Sequence, residues 1–215
     1  MAVELYDEHE QGERVRKWLR EYVPAIVMGL VLAFGGIFGF RYWQDQQASQ
    51  QALAADYYNL IQNEIEAGRI QVAEDHFETL RSEGGRSAYL GLAGLAMAAA
   101  YVEDGRLESA ARIYRELLEQ RRMEMLRPVT RLRLARVLHA QGDARAALDI
   151  VGEDAPRGFE AAWSELRGDL LLELGERQRA RLAYEQALDH ATRQGGLQRL
   201  LQMKIDATGP GGEAS

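Results

Sequence analysis

Apolar positions follow two rhythms along this chain. From Tyr22 to Phe40 every residue is uncharged, YVPAIVMGLVLAFGGIFGF, between Glu21 and Arg41. A helix rises only ~1.5 Å per residue, so roughly 20 such residues are needed to cross a hydrocarbon core about 30 Å thick. An apolar run of this length with no polar face predicts one membrane-spanning helix rather than a core helix. Tyr22 at one end, and Tyr42 and Trp43 at the other, supply rings suited to the membrane interface. Pro24 is expected in the first turn of the span, where its missing N–H costs little.

Beyond Arg41 the apolar residues recur at helical spacing, as in Leu90, Leu92, Leu95, Ala98 and Tyr101, or Leu132, Leu134, Ala135 and Leu138. Glycines punctuate these segments at Gly68, Gly105, Gly142 and Gly175, at intervals of 37, 37 and 33 residues. Five residues after each glycine stands an alanine, at Ala73, Ala110, Ala147 and Ala180. Four further on comes a larger apolar residue, at Phe77, Tyr114, Val151 and Tyr184. Seven before three of the glycines is a small residue, at Ala98, Ala135 and Gly168, with Ile61 departing in the first unit. The spacing resembles the tetratricopeptide repeat, in which small residues let two helices of a unit approach and a larger one fills the gap to the next unit.

Paired helices are then expected over 48–66 and 70–82, 88–103 and 106–121, 128–140 and 144–151, and 159–173 and 176–191. A last segment, with Leu197, Leu200, Leu201 and Ile205 on one face, is expected to cap the array. The chain therefore reads as all-α: a single N-terminal transmembrane helix, then a tetratricopeptide-like helical-repeat solenoid with a C-terminal capping helix. Its expected domains are a cytoplasmic segment 1–21, an anchor 22–43, a repeat domain 44–207 and a disordered tail 208–215, TGPGGEAS.

Charge gives the span a direction. Arg14, Arg16, Lys17 and Arg20 precede it; after it comes Arg41, and then no Lys or Arg until Arg69. The positive-inside bias puts the short N-terminus in the cytoplasm and the repeats on the far side. A cleaved signal peptide would need a shorter apolar region with a small-residue site close behind it. Ala52-Leu53-Ala54 lies too far past Phe40, inside an expected helix, so the span reads as an uncleaved anchor. The net charge of −7 and the pI near 5.3 argue against a nucleic-acid partner. Without cysteine the exported domain has to be stabilised by packing.

No catalytic constellation emerges. His9, His76, His139 and His190 are scattered over different units, and cysteine nucleophiles are excluded. Neither a catalytic, a cofactor-binding nor a metal site is expected, and the chain reads as a binding protein rather than an enzyme. The inner helices of a solenoid usually form its recognition surface. In the glycine register their groove-facing positions include Tyr58 and Gln62, then Leu92, Leu95 and Ala99, then Val129, Leu132 and Arg136, then Glu165 and Asp169. This face lacks the paired Lys and Asn residues by which some tetratricopeptide co-chaperones hold a C-terminal carboxylate. An apolar groove with a tyrosine suits an extended or helical polypeptide segment. The same residues would also fit packing under the anchor-side helix or the cap, and the sequence leaves both open. In the anchor, Ala25, Gly29, Ala33 and Gly36 form a small-residue stripe that suits contact with another transmembrane helix.

Several segments together resemble a known family: VELYDEHEQGERVRKWLREY at Val3 to Tyr22, RYW at Arg41 to Trp43, RLRLARVLHAQGDARAALDIV at Arg131 to Val151, ELRGDLL at Glu165 to Leu171 and QMKID at Gln202 to Asp206. Over nearly its whole length the chain is similar to the ancillary subunits of the bacterial SecYEG translocon. That resemblance implies a single-pass inner-membrane protein with its repeats in the periplasm. It further implies association with the SecYEG translocon, with a membrane-anchored prolyl-isomerase-like periplasmic chaperone and with exported client proteins. It also carries an alternative, a membrane tether in which residues 1 to 21 regulate a cytoplasmic stress-response regulator.

Overall fold

The computed structural model describes residues 5–83, 87–191 and 195–209. Among them it contains helices only, and it divides into two compact units, Met1–Ala52 and Leu53–Ser215.

The first unit is carried by helix α1, Leu5–Glu66. Because α1 begins well before the apolar run, Pro24 lies inside the helix and not in its first turn as expected. Its missing N–H removes one intrahelical bond there, an omission that spanning helices tolerate. Among the described residues the apolar side chains of the run have no protein cover: Leu32 is 70% exposed and Phe38 67% exposed. Left in water, such a surface would cost about 25 cal/mol per Å². A bilayer removes that cost, and among the described residues α1 is the one helix long and apolar enough to cross a membrane.

The second unit starts with the last turns of α1 and continues as α2 (Ile70–Glu83), α3 (Ala88–Glu103), α4 (Leu107–Glu119), α5 (Arg127–Ala140), α6 (Ala144–Val151), α7 (Glu160–Glu173), α8 (Arg177–His190) and α9 (Gly195–Ala207). Helices pack in sequence order, α3 on α4, α5 on α6 and α7 on α8, with α4 on α5, α6 on α7 and α8 on α9 joining successive pairs. One feature absent from the expected layout is a 3-10 turn, Arg121–Leu126, between α4 and α5. Its Met123 and Leu126 fill the space beside Gly91, where an added Cβ would lie 2.5 Å from Met123 Sδ and 2.9 Å from Leu126 Cδ1.

The repeat register explains the fold. All four punctuating glycines adopt the left-handed conformation, with φ of 72°, 75°, 83° and 80°. After each, the next N–H reaches back to the carbonyl five residues earlier: Arg69 to Glu64 at 2.9 Å, Arg106 to Tyr101 at 2.7 Å, Asp143 to Leu138 at 3.0 Å and Glu176 to Leu171 at 2.8 Å. This closure satisfies the orphan carbonyls at each helix end and turns the chain back on itself. The alanines five residues on, Ala73, Ala110, Ala147 and Ala180, are fully buried. Phe77, Tyr114, Val151 and Tyr184 are buried beside them. At Gly168 the missing side chain is occupied by the Tyr184 ring, whose Cε1 would stand 2.4 Å from an added Cβ.

The last helix caps the array through Leu201 and Ile205, both buried against Tyr184, Ala187 and Leu171. Leu200, expected on the same face, is instead 40% exposed: it points away because α8 covers only one side of α9. Thr208 is buried and donates its hydroxyl to the Ile205 carbonyl at 2.6 Å, while the Gly209 carbonyl accepts from Arg181 at 2.9 Å. Of the expected disordered tail, these two residues therefore pack on the fold, and 210–215 lie outside the described residues.

Candidate functional site

The exposed stripe along the inner helices is built by repetition. On the second and third inner helices the positions 13 and 6 residues before the glycine keep part of their surface exposed. These are Leu92 and Ala99 on α3, then Val129 and Arg136 on α5. Leu92 is 38% exposed, Ala99 and Val129 half-buried, and Arg136 exposed. Val102, seven residues after the buried Leu95 and in its register, is 39% exposed in the last turn of α3, a position sequence reasoning did not single out.

Two expected groove residues are corrected. Leu95 is 9% exposed and Leu132 only 5% exposed, and both belong to the central core. They fall on the flank where an inner helix meets its neighbours, so their methyl groups are used for packing. Tyr58 and Gln62 stand together on α1, with Gln62 Nε2 donating to the Tyr58 hydroxyl at 2.9 Å. The Tyr58 ring packs 5.9 Å from that of Tyr89, which opens α3 behind its Ser87 cap.

At the fourth repeat the stripe is covered. Lys204 of α9 places its ammonium 2.8 Å from Glu165 and 2.8 and 2.9 Å from the two Asp169 oxygens. The Tyr184 hydroxyl donates to Asp169 at 2.8 Å. Burial acts against the Lys204 charge, but the Asp169 and Glu165 bonds outweigh it and raise its pKa. Burial, reinforced by the neighbouring Asp169 carboxylate, also raises the Tyr184 phenol. Two segments far apart in sequence, at Glu165 to Leu171 and Gln202 to Asp206, thus meet in one ionic cluster. Of the two arrangements open at the sequence level, the fourth unit takes packing under the cap, whereas the second and third units keep exposed positions.

Between the third and fourth units, Arg131 donates to the Ile150 carbonyl at 2.6 Å and the Val151 carbonyl at 3.1 Å, with its guanidinium 5.0 Å above the Trp163 ring. Trp163, fully buried, donates its indole N–H to Val151 at 2.9 Å. This contact closes the short α6, whose carbonyls would otherwise lack donors.

In the anchor, Cβ atoms added at Gly29 and Gly36 would meet nothing within 4 Å, so the stripe they form with Ala33 is uncovered. The side chain of Ala25 lies outside the described residues. Among the described residues no group of three His, Cys, Asp or Glu side chains converges as a metal site.

An N-terminal apolar helix, four glycine-closed helix pairs and a capping helix define a tetratricopeptide repeat-like protein. The model of that family, the tetratricopeptide repeat-like domain, matches residues 16–210. A relative from Escherichia coli K12, named as an ancillary SecYEG translocon subunit, is 31% identical over 95% of this chain and 98% of its own length. Relatives bearing the same name occur in Haemophilus influenzae, 28% identical over 87% of this chain and 91% of theirs, and in Aggregatibacter actinomycetemcomitans, 28% identical over 93% and 97%. The chain belongs to the family of ancillary SecYEG translocon subunits.

Proposed function

We propose that this protein is a non-catalytic scaffold of the Sec export machinery. In this reading α1 holds it in the inner membrane as a single-pass protein with the N-terminus in the cytoplasm. The repeats work in the periplasm, linking the translocon to a membrane-anchored prolyl-isomerase-like chaperone and to exported clients. The observation that carries the reading is the near full-length likeness to relatives named as ancillary translocon subunits, present in one chain with an uncovered apolar helix and an exposed inner-helix stripe. The excess of Arg and Lys before the apolar run supports the orientation.

Photo-crosslinkers at Leu92, Val129 and Gly29 test it in cells. Adducts with translocon subunits or periplasmic chaperones are expected, and a protein that never migrates with the translocon after crosslinking rules the reading out. Gly36→Ile should lower the adducts formed from Gly29 without changing the repeat fold, because among the described residues nothing packs on Gly36. External protease on spheroplasts should digest the repeats; their protection would reverse the orientation.

A further inference from the structure

The inner-helix stripe carries opposite charges in opposite situations. On α7, Glu165 and Asp169 already hold Lys204, whose ammonium lies 2.8 Å from each carboxylate. On α5, Arg136 is exposed and, among the described residues, has no ion-pair partner. The protein therefore neutralises its own groove anions with its own cation, and leaves a groove cation for something else. Arg136 occupies the same register position as the half-buried Ala99 on α3, and Leu92 lies on that same stripe. An arginine beside an apolar strip is matched by a carboxylate beside apolar side chains, since guanidinium and carboxylate pair through two parallel hydrogen bonds.

We infer that the stripe selects apolar polypeptide segments that carry an acidic side chain, with the carboxylate on Arg136 and the apolar side chains on Leu92 and Ala99. This rests on the polypeptide-binding reading above and adds the sign of the ligand. Basic segments are disfavoured on two counts. Arg136 repels them, and Glu165 and Asp169 accept them only if Lys204 is displaced. The net charge of −7 opposes an acidic ligand at long range. That repulsion is largely screened beyond about 8 Å at physiological ionic strength, whereas a direct Arg–carboxylate contact is not.

The test uses the full chain in phosphatidylcholine nanodiscs and two fluorescein-labelled Leu/Ala dodecapeptides differing only in a central Glu or Lys. Fluorescence anisotropy should show the Glu peptide binding about tenfold tighter, the scale of one charge-assisted hydrogen bond. Arg136→Glu, at an exposed position, should reverse that order with the far-UV circular dichroism spectrum unchanged. Equal affinities, binding of neither peptide, or an order unchanged by Arg136→Glu would overturn the inference. Failure here with translocon adducts intact leaves the scaffold reading standing; selective peptide binding without such adducts removes the scaffold reading alone.

Discussion

At Gly168 the inner helix of the fourth repeat comes so close to Tyr184 that an added Cβ would lie 2.4 Å from Cε1 and 2.5 Å from Cδ1. The ring cannot retreat easily, because its hydroxyl is held by Asp169 at 2.8 Å. Gly168→Ala is expected to destabilise the repeat domain by about 1–3 kcal/mol through overpacking, read as a lower urea midpoint. Gly94→Ala, where the nearest atoms are flexible Leu117 methyls at 3.2 and 3.3 Å, should cost less. The repeat spacing showed a small residue at position 168, but which ring fills the space depends on the helix crossing. Proton binding gives a second prediction at this scale. Burial, reinforced by the Glu74 carboxylate, pushes Tyr101 up to about 12, and Tyr184 and Lys204 are also raised. The fold therefore keeps protons that the unfolded chain releases. Stability is complete below the ordinary values of 10.0 for tyrosine and 10.5 for lysine, and falls as pH rises past them. Urea titrations should give midpoints that drop above pH 10, less steeply in Tyr184→Phe.

Helix α9 was legible as a cap from its apolar face, because Leu201 and Ile205 recur at helical spacing. Its ionic clasp was not, since Lys204 is 39 residues from Glu165 and 35 from Asp169. Replacing Lys204 with Gln leaves two half-buried carboxylates without their cation. About 1 kcal/mol of stability should be lost, the modest end of the range because all three side chains keep some solvent. A double-mutant cycle with Glu165→Gln, followed by urea unfolding, should return a coupling energy; strict additivity would show that the clasp does not stabilise the cap. The 3-10 turn Arg121–Leu126 also escaped the sequence pattern, because its packing partner is the glycine face of α3 rather than any local repeat. In α1 the helix continues through Pro24, where a local rule favours a helix start. The run of helix formers before it overrides that rule.

For the whole molecule, the uncovered apolar surface of α1 predicts that the chain stays in the membrane pellet through an alkaline carbonate wash. Deleting 22–40 should release it to the supernatant; retention would show that the repeats bind the membrane by themselves. The sequence by itself determined the long apolar helix and the four glycine-closed helix pairs. Those signals are local: an unbroken apolar run, and glycines whose left-handed backbone and flanking alanines recur in phase. Only the tertiary structure decided which groove positions face outward. Burial of Leu95 and Leu132, exposure of Val102 and capture of Glu165 and Asp169 by Lys204 all depend on how neighbouring helices cross. Helical period assigns a residue to a face, but the adjoining repeat determines whether that face meets protein or solvent.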